Sequence, residues 1–227
     1  ESMVLFIWAL TIGYLWMEKR YRMKTIGAFV MTIAFLSVIA ASMLPYRFKS
    51  AEPLNPALQS KWHWLVSLLT PLGLQKYAIG WLDFHVFTTF IAYAAFALSF
   101  GLSLMFLLKE RFESKKKKNI LVDMLPESDT LDELSYRTIA WGFPFLAVGI
   151  VSGAVWANYA WGTYWSWDPK ETWSLITWFL YAAYLHARVT RGWKGKRAAY
   201  LSIAGFLAVV FLYWGVSFVL PGLHAYA

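Results

Sequence analysis

The chain has 227 residues, 59% of them hydrophobic and only 15% charged, against roughly 25% charged in an ordinary soluble domain, and this excludes a water-soluble globule. Its net charge of +8 comes from 21 Lys and Arg that lie between apolar blocks, a pattern of membrane orientation and not of a nucleic-acid surface. With no cysteine, the chain makes no disulfide, no thiolate metal site and no thioether of its own, while 14 Trp, 13 Tyr and 17 Phe exceed what anchoring at a lipid interface requires.

Apolar runs between charged punctuation predict an all-α polytopic membrane helix bundle with six spans. They fall at about 3–17, 25–44, 84–108, 138–157, 172–189 and 198–220. The first run is short and follows Glu1, so a single transmembrane domain over 1–227 that is a fragment of a longer polypeptide is expected. Segments 18–24, 109–137 and 188–197 carry sixteen Lys or Arg; segments 45–83, 156–171 and 221–227 carry five. The positive-inside rule therefore puts the first set in the cytoplasm and the second on the outer face, with 45–83 as an outer loop. Phosphate-binding loops, zinc-protease histidine pairs and nucleophile elbows are absent from the sequence, which leaves nucleotide hydrolysis and proteolysis without a motif.

The densest chemistry is the outer stretch 156–173, W-A-N-Y-A-W-G-T-Y-W-S-W-D-P-K-E-T-W. A pair of tryptophans would read as an interfacial belt. Trp161, Trp165, Trp167 and Trp173 together instead suggest an apolar face on a short helical segment lying flat at the outer surface, suited to a flat, rigid aromatic ligand. Asp168, Pro169 and Glu171 occupy the N-cap, first and third positions expected at a helix start, so a capping box should open the fifth span.

Histidine at the edge of a span is a functional hypothesis by default. His85 begins the third span and His224 follows the sixth, both level with the tryptophans. Either alone reads as an interfacial histidine bonded to backbone or water. As a pair flanking indoles they suit an iron porphyrin, with two neutral imidazoles as axial ligands. His186 lies fifteen residues after Glu171, about 22 Å deeper at 1.5 Å per residue, behind the small face of Ala182, Ala183 and Phe179. It is either one ligand of a second, inner site whose other ligand comes from elsewhere, or a histidine snorkelling to the interface beside Arg188. His63 reads as a surface or packing residue of the 45–83 loop.

The run Trp161-Gly-Thr-Tyr-Trp165-Ser-Trp167-Asp168-Pro-Lys-Glu171-Thr-Trp173 resembles the tryptophan-rich WWD signature of heme-handling membrane proteins. Its P-K-E-T-W ending, with Tyr181-Ala-Ala-Tyr-Leu-His186-Ala-Arg and Pro221-Gly-Leu-His224-Ala-Tyr, is similar to the CcsA/ResC branch, the membrane subunit of the system II cytochrome c synthase. The likeness covers roughly 54–227, with 61–80 standing out as an insertion; the Trp81 spacing favours His85 over His63. The resemblance implies heme b as the substrate, with His85 and His224 its outer iron ligands beside Trp161, Trp165, Trp167, Asp168 and Trp173. It implies His186 as one ligand of an inner site. It further implies a CcsB/ResB partner, separate or fused as CcsBA, and an apocytochrome c whose C-x-x-C-H thiols receive the heme, the activity of a holocytochrome c synthase or heme lyase. The expected location is the bacterial cytoplasmic membrane with the WWD segment and C-terminus periplasmic, or the thylakoid membrane in a plastid. Two alternatives remain: a CcmC-type heme exporter or chaperone that makes no thioether, and a structural subunit whose aromatics only anchor it.

Overall fold

A computed structural model describes residues 2–22, 24–42, 61–72, 79–115 and 120–220. In chain order its helices are α1 (Ser2–Tyr21), α2 (Thr25–Ser42), α3 (His63–Leu69), α4 (Trp81–Ser114), α5 (Ile120–Asp123), α6 (Ser128–Trp161), α7 (Pro169–Arg191), α8 (Lys196–Val210) and α9 (Val216–Val219). Six of them are long and stand where the six apolar runs predict. Trp81–Ser114, Ser128–Trp161 and Lys196–Gly215 are each long and apolar enough to cross a bilayer. The chain is a polytopic helical membrane protein, with no strand among the described residues beyond an isolated Lys61–Gly80 bridge.

α4 and α6 are each 34 residues long, about 51 Å at 1.5 Å per residue, and overrun the predicted spans at their basic end. Specific bonds support the extension. Buried Lys109 donates to the Leu125 and Pro126 carbonyls at 3.2 and 2.9 Å, so the end of α4 is tied to the start of α6. The 45–83 loop likewise contains structure. α3 and a 3₁₀ turn at Thr70–Leu72 follow Trp62, whose N–H donates to the Ile79 carbonyl at 3.1 Å and whose ring lies 5.6 Å from Trp81. Residues 43–60 and 73–78 lie outside the described residues.

α4 is the central helix, packed against α6 and also against α1, α2 and α8. It meets α6 antiparallel through a stripe of α6 glycines. A Cβ on Gly142 would come within 2.8 Å of Ala95, one on Gly149 within 2.5 Å of Thr89, and one on Gly153 within 2.6 Å of His85. Small residues let two backbones approach this closely, so packing and polar contacts replace the hydrophobic effect that lipid cannot supply. Deeper in, Ser99 bonds Ser135 at 2.8 Å and Ser202 at 2.9 Å, joining α4, α6 and α8 through buried hydroxyls. The Tyr181 ring of α7 stacks on Phe96 at 3.7 Å and lies against Gly205 of α8, whose Cβ would meet it at 2.8 Å.

At the basic end, buried Arg188 of α7 pairs with buried Asp132 of α6 at 2.6 Å, and also donates to the Trp193 carbonyl and to Glu133. The other Asp132 oxygen accepts from Gly195 N–H at 2.9 Å, which fixes the turn into α8. Removing one partner of a buried, hydrogen-bonded ion pair strands the other charge. Arg188→Ala should therefore destabilise the detergent-solubilised protein by about 3–5 kcal/mol, read as a large fall in melting temperature. The double change Arg188→Met with Asp132→Leu should recover much of that loss.

A candidate binding site at the tryptophan-rich end

At the end opposite the Arg188–Asp132 pair, the start of α4 packs on α6 and a turn joins the end of α6 to the start of α7. α6 stops because Gly162 takes the left-handed conformation at φ 76°, a C-cap that favours glycine. α7 starts as the sequence predicts: Asp168 accepts from Lys170 N–H at 2.9 Å, Pro169 takes the first turn, and Glu171 completes the capping box by accepting from Asp168 N–H at 3.2 Å. Burial pushes the Lys170 ammonium below its usual range, with the nearby Asp168 charge opposing the shift.

The segment between these caps corrects one expectation. It is not a short helix lying at the surface: residues 162–168 are non-helical, flanked by the last turn of α6 and the first of α7. The cause is local. Ser166 and Asp168 turn their N–H groups onto the Glu171 carboxylate, so those donors are not available to a helical ladder. The tryptophans are consequently held in pairs. Trp161 meets Trp156 edge-on at 5.0 Å, Trp165 meets Trp167 edge-on at 5.8 Å, and Trp173 lies 4.4 Å from Phe211 of the following hairpin. Trp167 is 69% exposed, whereas the Trp165 indole nitrogen is buried with no hydrogen-bond partner among the described residues.

His85 sits in the second turn of α4 with its ring over α6. Its Nδ1 lies 2.6 Å from the Gly149 carbonyl oxygen, and the ring fills the notch that a Cβ on Gly153 would occupy. A carbonyl only accepts, so Nδ1 carries the proton, and in the neutral ring the lone pair is on Nε2. The backbone of this turn is itself braced, since the Thr89 hydroxyl donates to the His85 carbonyl at 2.8 Å. His63 opens α3 and is exposed; its neighbour Trp62 packs on Trp81 and Phe84, which brings the 61–72 segment to the start of α4. His186 is exposed on the face of α7 turned away from the bundle, in line with exposed Phe179, while Arg188 points inward to Asp132. His224 lies outside the described residues.

Two features are not read from the sequence. Gly149 and Gly153, four apart in a span, are the small-residue pattern that marks close helix contact, and they seat His85. Phe211–Gly215 continues α8 as a π-turn and carries Phe211 toward Trp173, with the Phe211 ring lying on Gly215; nothing in its composition announces the insertion. Trp156, the first residue of the tryptophan-rich stretch, stands inside α6 and packs on Trp161.

The described residues form a polytopic membrane helix bundle, with His85 seated on α6 and a tryptophan-rich turn between α6 and α7. Residues 73–224 match the profile of the cytochrome c assembly proteins. The chain is similar along its whole length to proteins named cytochrome c biogenesis protein CcsA. It is 40% identical over 244 residues to that of Guillardia theta, covering 74% of the relative, and 42% identical over 237 residues to that of Prochlorococcus marinus strain NATL2A, again covering 74%. The match to the Chlamydomonas reinhardtii protein is 40% over 232 residues and covers 59% of it. The chain belongs to the cytochrome c assembly family, as a CcsA-type cytochrome c biogenesis protein.

Loss of the N-cap acceptor should cost α7 about 1 kcal/mol. Asp168→Ala is expected to lower the melting temperature by a few degrees, and Asp168→Ser, which keeps an acceptor oxygen, to restore most of the difference.

Proposed function

We propose that this chain holds heme at the tryptophan-rich end and presents it for covalent attachment to apocytochrome c. The observation that carries this reading is the His85 imidazole, whose Nδ1–H is committed to the Gly149 carbonyl of α6, the helix that leads into the tryptophan segment. Metal-ligating histidines are characteristically held through the second ring nitrogen in this way. The rest of the site suits an iron porphyrin too: exposed Trp167 offers a flat apolar surface, and the buried Trp165 indole N–H is a donor that a porphyrin carboxylate would satisfy.

In this reading His224 supplies the second axial ligand opposite His85, and Trp161, Trp165, Trp167 and Trp173 line the macrocycle around the turn that Asp168 caps. His186, turned outward on α7, serves an inner site completed by a residue of a CcsB/ResB-type partner or fused half. The basic end lies in the cytoplasm and the tryptophan-rich end on the opposite side of a bacterial cytoplasmic or thylakoid membrane, so heme b travels from the first to the second. The apocytochrome supplies both thiols; each S–H adds across a heme vinyl group to form a thioether, with no oxidant consumed. The chain's own part is orientation and control of axial ligation, the contribution expected where the cofactor carries the chemistry.

The complex purified with its partner should show a low-spin Soret band, weakened in His85→Ala and in His224→Ala. Gly153→Ala pushes a methyl into the His85 ring and should lower heme retention about tenfold, as disturbed second-shell support of a metal ligand does. Co-expression with an apocytochrome should yield covalent heme that survives denaturation. Heme that binds without ever becoming covalent would make the chain a CcmC-like exporter, and a colourless complex would leave only an anchoring role.

A further inference from the structure

We propose that Glu171 is a positioning residue for the tryptophan site: its carboxylate fixes the backbone on both sides of Trp167 and so sets where that indole stands. The inference rests on the heme-platform reading. A capping box asks of its third residue one bond, to the N–H of the cap. Glu171 makes that bond to Asp168 at 3.2 Å, yet its shorter contact runs further upstream, to Ser166 N–H at 2.8 Å, with the Ser166 hydroxyl also donating at 3.2 Å. All three donors converge on one carboxylate oxygen, and Trp167 is the residue enclosed between them.

Trp167 itself has φ 60°, the left-handed region that a side chain of this bulk rarely adopts. Such a conformation persists only where the surroundings over-determine it, and it concentrates at functional sites. Apolar burial does not supply the restraint, because Trp167 is 69% exposed. Polar bonds do: Glu171 holds the residues before and after it, and the Thr172 hydroxyl donates to its carbonyl at 3.3 Å. Charge-assisted acceptance by a carboxylate is the strong form of such a bond. An indole that had only to anchor in lipid would need no clamp of this kind. An indole that must meet one face of a rigid macrocycle at a fixed angle would.

The test uses the full chain with its partner, purified with heme, and reads two quantities: melting temperature and the circular dichroism of the Soret band, which reports how aromatic rings are set around the heme. Glu171→Ala should change the Soret dichroism and lower heme retention about tenfold, and Glu171→Gln, which keeps an acceptor oxygen, should restore most of both. Ser99→Ala removes buried hydroxyl bonds deeper in the bundle and leaves the clamp, so it should lower the melting temperature with the Soret dichroism retained. In a Trp167→Gly background, where the left-handed residue needs no restraint, Glu171→Ala should add no further spectral change. If Glu171→Ala moves only the melting temperature while Trp167→Ala alters the Soret signal, the clamp is refuted and the platform reading stands. A Soret signal indifferent to Trp167→Ala would overturn the platform reading and the clamp with it.

Discussion

The structure depends on the close approach of α4 to α6. Two glycines four residues apart remove the side chains that would hold the helices apart, and the first turns of α4 lie directly on the α6 backbone. Inside lipid this approach is what makes association favourable, since apolar side chains gain nothing by leaving hydrocarbon for protein. The same approach carries the His85 ring to the Gly149 carbonyl. A packing solution thereby settles the tautomer of the one described histidine that faces the bundle at this end. Further along the interface the register is held by hydroxyls, with Ser99, Ser135 and Ser202 bonded across three helices, while at the basic end Arg188 on Asp132 ties α7 to α6.

The tryptophan-rich turn is built on a different principle. Gly162 ends one helix, Asp168 and Pro169 begin the next, and Glu171 gathers the backbone between them. Each device acts over a few residues, so the turn is stiff without being deeply buried. That combination leaves Trp167 both exposed and fixed, which ordinary apolar packing cannot achieve.

How much of this was legible in the sequence follows from the range of the interactions. The six helices were readable because a span is a local run of apolar residues, and the Asp168 cap because Asp-Pro-x-Glu is complete within four positions. The extra turns of α4 and α6 were not, because Lys109 reaching the carbonyls of residues 125 and 126 is a tertiary bond that composition does not encode. The expected short surface helix failed where a side chain, Glu171, outcompetes the helical ladder for backbone donors. The seat of His85 was invisible for the plainest reason: its partner carbonyl is 64 residues away. A Gly-x-x-x-Gly pair in a span was the available signal, and it names a helix contact without naming what the contact holds.

Family membership and fold agree on a membrane component of cytochrome c biogenesis, and the proposed chemistry narrows to how an imidazole and a set of indoles would hold a porphyrin. The most direct test of that narrowing is an experimental structure of the complex loaded with heme. The account predicts iron on Nε2 of His85, with Nδ1 still donating to the Gly149 carbonyl and Trp167 against the macrocycle. Iron on another residue, with His85 packed on α6 and remote from the porphyrin, would contradict it.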